Sequence, residues 1–286
     1  APVPVVLQQN MEDRLGGAAN VALNIYALGS TPVLCSVIGR DEAGIQLQKN
    51  ILPANQVTGE GMVFSDTRRT TVKTRILGNN QQMLRIDSED TNDLNTREQE
   101  DLLKKVRELL TNRPIKAVIL QDYNKGVLTE TVISEILAEA RKAGAVTSVD
   151  PKKSNFFAYQ GVDLFKPNLK EIRDSLPFSV SPTLESLREA SVYLREQIKN
   201  RLTMITLSEK GLFLDDAKEA RVYPTVPRNI ADVSGAGDTV IATLAVMVAA
   251  GAGWAEAIRT ANVAAGIVVG KLGTAVVTRE ELAAAL

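Results

Sequence analysis

Short apolar runs alternate with longer stretches of helical period along most of this chain, and that alternation limits the folds open to it. Val3–Gln8, Thr31–Gly39, Ala117–Tyr123, Ala145–Asp150, Val162–Asn168, Thr203–Glu209 and Gly211–Asp216 read as strands. Gly17–Leu28, Ala43–Leu52, Thr96–Leu110, Thr129–Ala143, Thr183–Lys199, Gly235–Ala250 and Ala255–Lys271 read as helices. Several of the runs are continuously apolar, as strands covered on both faces are. Strand and helix in turn predict βαβ units around a mainly parallel central sheet with helices on both faces, a three-layer α/β sandwich. Thr129 and Thr183 stand where helix N-caps belong. Gly29 and Gly144 stand where a helix closes on a left-handed residue.

One region departs from the pattern. From Met62 to Asp87 the chain is β-branched and polar, with a hairpin-type turn at Gly78–Asn80. With Val3–Gln8 it predicts a small antiparallel sheet beside the main one. We expect a single α/β domain over residues 1–286, with a β lid drawn from about residues 1–15 and 61–90.

Composition narrows the chemistry. A chain of 286 residues, 44% hydrophobic, can bury a sizeable core. The net charge of −1 gives no basic excess for nucleic acid or an anionic membrane. The most membrane-like stretch, Thr239–Ala255, is short and flanked by Asp238 and Glu256, so it reads as a core helix. The N-terminal residues lack the features of a signal peptide. A lone cysteine, Cys35, forms no internal disulfide, and a cytoplasmic setting is expected. Histidine is absent. That excludes Ser-His-Asp and Cys-His mechanisms and the usual zinc hydrolase sites. Acid–base work then falls to Asp, Glu, Lys, Tyr or Cys35, and a metal would be held by oxygen, which favours Mg²⁺.

Three stretches carry candidate chemistry. In "DVSGAGDTVIATLA" (Asp232–Ala245) small residues precede a long apolar helix. Gly235, Ala236 and Gly237 can leave helix N–H groups open to an anion, with Asp238 beside them as proton acceptor. The same residues also make a plain helix start with a first-turn acid. In "LGGAANVALNIYALG" (Leu15–Gly29), Gly16 and Gly17 bring backbone close to a polyhydroxy ligand and Asn20 offers its amide, or they form an ordinary tight turn. In "KPNLKE" (Lys166–Glu171), Asn168 and Glu171 share one face of a first helical turn at a strand end. They can order water around a Mg²⁺–phosphate ion, or close a capping box.

The order "GGAAN", "NLKE", "DVSGAGD" over nearly the whole chain resembles the ribokinase/PfkB family of carbohydrate kinases. Further stretches (Ala1–Val6, Arg14–Gly29, Thr71–Asp87, Gln121–Leu128 and Val149–Glu171) are similar to the branch that phosphorylates D-glycero-D-manno-heptose 7-phosphate at O1, on the route to ADP-heptose for lipopolysaccharide. In many bacteria that branch is fused to an adenylyltransferase, so a stand-alone kinase or an excised domain is expected here. The resemblance implies a ribokinase-like fold, ATP and Mg²⁺ as cofactors, a sugar phosphate as partner, and a homodimer paired through the β lid. It makes Asp238 the catalytic base and Gly235, Ala236 and Gly237 the anion hole. Asn168 and Glu171 become the Mg²⁺ and phosphate element, with Glu171 reaching the metal through water. Gly16, Gly17 and Asn20 take the sugar side. Ser208, Glu209 and Gly211 open the nucleotide pocket, and Asn262 meets its base. The family usually opens with a strand and a further substrate-binding Asp, which the resemblance places ahead of Ala1. The sugar's own phosphate needs positive charge, and at least one of Arg68, Arg69, Lys73, Arg75, Arg85, Lys125 and Lys152 is expected to supply it. Other readings are a kinase of this family for another sugar, sugar phosphate or nucleoside, and a non-catalytic sugar- or nucleotide-binding regulator.

Overall fold

The structure is a computed structural model that describes residues 5–78, 81–225 and 231–286. Its largest sheet has six strands in the order β10-β9-β8-β7-β6-β5. These are β5 (Ala117–Gln121), β6 (Val146–Asp150), β7 (Leu164–Phe165), β8 (Leu202–Thr206), β9 (Leu212–Asp215) and β10 (Ala220–Tyr223). The strands from β5 to β8 are parallel, while β9 and β10 turn back antiparallel. A separate parallel pair joins β1 (Val33–Gly39) to β2 (Thr58–Ser65).

Alternation along the strands feeds two cores. Leu164, Leu202, Met204, Leu212 and Leu214 pack with Val240 and Leu244 of α8 (Ala236–Ala249) and Ile258 of α9 (Trp254–Val268). Phe165, Ile205 and Phe213, offset from these by one residue, face the other way. There they meet α4 (Thr96–Asn112), α5 (Glu130–Lys142), α6 (Leu169–Ser175) and α7 (Leu184–Ile198). Most of these side chains are fully buried, and each such Leu, Ile or Phe contributes about 1.5–3 kcal/mol. Helices therefore cover both faces, as the continuous apolar runs imply.

The expected helix ends are present. The Thr129 and Thr183 hydroxyls accept from Val132 N and Ser186 N. Gly29 and Gly144 have φ of 85° and 67°. The helix expected at Ala43–Leu52 is broken into α2 (Glu42–Gln46), a π turn at Leu47–Ile51 and α3 (Leu52–Ala54). Among the described residues the first element is α1 (Ala18–Ala27) and the last is α10 (Arg279–Ala285). Thr239–Ala255 spans α8 and the start of α9. Among the described residues no helix is long and apolar enough to cross a membrane.

The lid differs from the expectation. Val3–Gln8 forms no strand over its described residues 5–8. The start of the Met62–Asp87 region belongs to β2, which bonds to β1 in the main body. Only β3 (Val72–Gly78) and β4 (Gln81–Ser88) make the antiparallel hairpin, and its Asn79–Asn80 turn lies outside the described residues. The physical reason is pairing: a β-branched run fixes a strand but not its partner.

Candidate active site

Parallel strands end on one side of a sheet, and here three of them deliver side chains to one place. β5 ends at Gln121, β6 at Asp150, and Lys166 follows β7. The N-terminus of α8 faces them. Its N-cap, Gly235, has φ of 82°, a left-handed conformation that favours glycine. Asp232 fixes the preceding loop, accepting from Ser234 N at 2.8 Å and Gly273 N at 3.1 Å. Ala236 N–H is turned back to Val233 O. Gly235 and Gly237 are the members of the expected anion hole whose N–H groups meet no backbone acceptor among the described residues.

Asp238 sits in the first turn of α8 at the centre of the cluster. Its Oδ2 accepts from Asn20 Nδ2 at 2.7 Å. Its Oδ1 accepts from Tyr123 Oη at 3.1 Å and Gln121 Nε2 at 3.3 Å. Burial raises the carboxyl above its usual range, against the lowering effect of the Asn20 and Tyr123 donors. Tyr123 is pushed up by burial and then by the Asp238 charge, so its phenol stays protonated and donates.

A second group lies beside the first. Lys166, 2% exposed, donates to Asp150 Oδ2 at 2.8 Å. A methyl built on Gly237 would stand 3.8 Å from Lys166 Nζ, so this ammonium borders the anion hole. Lys152 donates to Asp150 Oδ1 at 3.2 Å and to Glu171 Oε1. Burial works to raise the Asp150 carboxyl, but the charges of Lys166 and Lys152 win and hold it low. Asn168 and Glu171 close a reciprocal capping box on α6, each accepting from the other's backbone N–H at 2.8 Å. One Glu171 oxygen thus serves the cap and the other serves Lys152.

The sugar-side residues meet this group in part. Asn20 is fully buried, and its Oδ1 has no partner among the described residues. Gly17, at φ 57°, lies so close to the Tyr123 ring that a Cβ would stand 3.4 Å from it. Gly16 is exposed, with open space beside it. Ser208, Glu209 and Gly211 form a turn after β8 that is bound instead to the end of β10, where Thr225 Oγ1 donates to Glu209 O at 2.7 Å. Asn262 Nδ2 donates to Pro224 O at 2.7 Å, so it shares that segment. These four residues form a separate group, linked to the first through the bridge between Asn168 and Thr206. Cys35 lies in β1, and burial pushes its thiol up to about 11, which removes it from acid–base work near neutrality.

Most of the basic residues are already engaged. Arg68 donates to the carbonyls of Asn92, Asp90 and Lys125. Arg69 faces Asp90, Arg85 faces Asp87, Lys73 bridges Asp87 and Glu89, and Lys125 pairs with Glu89 at 2.6 Å. Arg75 stands directly opposite Arg85 in the hairpin and has no ion-pair partner among the described residues.

Sequence reasoning passes over Gln121, Tyr123, Asp150 and Lys166 as site residues. Their signal is position: each closes or follows an apolar run that becomes a parallel strand.

Comparisons with known proteins bear on the family and the fold. A model described as "pfkB family carbohydrate kinase" matches residues 1–281. The chain is 41% identical over 283 residues to the bifunctional protein HldE of Haemophilus influenzae, covering 99% of this chain and 57% of that one. It is 40% identical over 282 residues to the protein of the same name from Methylobacillus flagellatus, with 99% and 57% covered. The chain thus spans a little over half the length of these relatives. Among solved structures, phosphofructokinase-2 from Escherichia coli superposes with a TM-score of 0.76 at 19% identity, covering 97% of this chain and 92% of that one. Ribokinase from Arabidopsis thaliana gives 0.73 at 18% identity, with 94% and 86% covered. The fold is ribokinase-like.

Proposed function

Since this chain belongs to the pfkB family of carbohydrate kinases, we propose that it transfers the γ-phosphoryl group of ATP to O1 of D-glycero-D-manno-heptose 7-phosphate. The observation that carries this reading is the Asp238 carboxylate, held at the mouth of a helix N-terminus with Lys166 beside it. A proton acceptor and a positive cradle for a phosphoryl group then share one place. The relatives named HldE support the heptose branch over others in the family.

The transfer is in line. Asp238 takes the proton of the acceptor hydroxyl as its oxygen attacks phosphorus. The open N–H groups at Gly235 and Gly237, together with Lys166, meet the charge on the group in flight. Among the described residues no three acidic side chains converge; Mg²⁺ would arrive with the nucleotide, and Glu171 would hold it through water. When bound, Mg²⁺ neutralises charge on the ATP phosphates. Ser208, Glu209, Gly211 and Asn262 border the nucleotide. Gly16, Gly17 and Asn20 border the sugar, with Asn20 Oδ1 free to accept from a hydroxyl. Arg75, unpaired among the described residues and facing Arg85, supplies charge for the sugar's own phosphate. The hairpin closes over the site and excludes water. One of its faces carries Val72, Ile76, Leu84 and Ile86, and we assign that face to a second copy of the chain in a homodimer.

The test is ADP release from ATP and Mg²⁺ over a panel of sugars that includes the heptose 7-phosphate. Turnover of that substrate alone is expected. Turnover of another sugar with none on the heptose overturns the assignment.

A further inference from the structure

Gln121 and Tyr123 lie two residues apart where β5 ends, so an extended chain turns both side chains to one side. Asp122, between them, points the other way. It is buried and accepts from Tyr159 Oη and Asn124 N, each at 2.8 Å, which anchors the segment from behind. The forward pair reaches Asp238 Oδ1 together. Gln121 Nε2 also lies 3.3 Å from Asp150 Oδ2, so one amide stands between the two carboxylates. Its Oε1 is buried and has no partner among the described residues. A flipped amide would aim that oxygen at two carboxylates, so the donors fix its orientation.

We propose that Gln121 and Tyr123 are positioning residues, which hold Asp238 Oδ1 in place for the acceptor hydroxyl and keep its proton apart from Asp150. The proposal rests on the kinase reading of Asp238. Asn20, on α1, donates to Oδ2 at 2.7 Å, so both carboxylate oxygens are held. The charged groups that face Asp238 are Asp150 at the end of β6 and Lys166 after β7, with Lys152 acting through Asp150. Asp150 disfavours the ionised form and Lys166 favours it. Donors from Gln121 and Tyr123 add to Lys166.

The experiment follows the Asp238 carboxyl by carbon-13 NMR in the substrate-free protein, with the resonance assigned by its loss in Asp238→Asn. In Tyr123→Phe the titration is expected to move up by about one pH unit. Gln121→Met is expected to move it in the same direction. The acid limb of kcat/KM moves with it, the KM for ATP stays put, and kcat recovers above the new limb. An unmoved titration with kcat lowered equally at every pH overturns the proposal and leaves Tyr123 as packing over Gly17. Absence of turnover on every sugar, with the titration shifted as described, sinks the kinase reading and leaves the positioning intact.

Discussion

Asn20 and Asp238 are 218 residues apart in the chain, yet the amide of one donates to the carboxylate of the other at 2.7 Å. The contact is continued by Thr239 Oγ1, which donates to Asn24 Oδ1 at 2.8 Å, so α1 and α8 are joined by a buried polar ladder. Asn20→Asp replaces the donor with a second carboxylate. Two such groups at this distance share a proton. Turnover at neutral pH is expected to fall by about 10²-fold, and the acid limb of kcat/KM to move upward. An unchanged limb refutes the pairing.

The buried charge of Asp238 works against stability. Its carboxyl titrates above the usual range in the fold because burial disfavours the charge. An acid raised by folding binds its proton more tightly in the native state, so native stability is lost as pH rises through the folded value. Asp238→Asn removes that charge. It is expected to abolish turnover while the melting temperature at pH 7 holds or rises, as read by calorimetry. A clear drop in melting temperature would show the carboxylate to be structural. For the same reason, activity in the wild type should fall on acidification at a pH above the ordinary carboxylate range.

Lys166 and Asp150 give the opposite sign. Asp150 is held low by its two lysines, so its contribution is present above the unfolded carboxylate value and lost as pH falls through the folded one. Asp150→Leu leaves Lys166 buried without a counter-charge and is expected to cost about 3–5 kcal/mol in urea unfolding. Adding Lys166→Met should restore most of that stability without restoring turnover. Failure of the double variant to recover places the cost elsewhere than in the pair.

These particulars show what a sequence can disclose. Caps at Thr129 and Thr183 are legible because a cap is local chemistry, read from residues three apart. Asp238 and Asn20 are legible because small residues at a helix start limit what surrounds them. Asp150, Lys166, Gln121 and Tyr123 meet Asp238 or one another only when parallel strands bring their ends together, and no neighbouring residue in the chain encodes that. β2 reads as part of the lid for a related reason. Its composition declares a strand, but its hydrogen bonds go to β1, whose residues lie about 25 positions earlier.

Gly235 carries a backbone demand that only substitution exposes. At φ 82°, with Asn20 Nδ2 3.2 Å from where a Cβ would stand, Gly235→Ala meets both strain and crowding. The left-handed conformation costs about 1–2 kcal/mol in a residue with a Cβ. Crowding pushes Asn20 off Asp238. The expected result is a lower melting temperature and a lower kcat with KM for ATP unchanged. Wild-type kcat would show that the loop relaxes freely.

The lid hairpin offers a test of assembly. Leu84 and Ile86 are about half exposed and lie on the apolar face, away from Arg75 and Arg85. Leu84→Lys with Ile86→Lys is expected to convert a dimer to a monomer in sedimentation velocity, with the core fold retained by circular dichroism. A dimer that survives both changes uses another surface.

The joining of α1 to α8 also sets an order in time. Asn20, Gln121, Tyr123, Asp150 and Lys166 all leave the ribosome before Asp238. Every growing chain that stops short of α8 holds the partners of the carboxylate and lacks the carboxylate itself. Such a chain cannot close the ladder between α1 and α8, so this joint is among the last contacts of the fold to form.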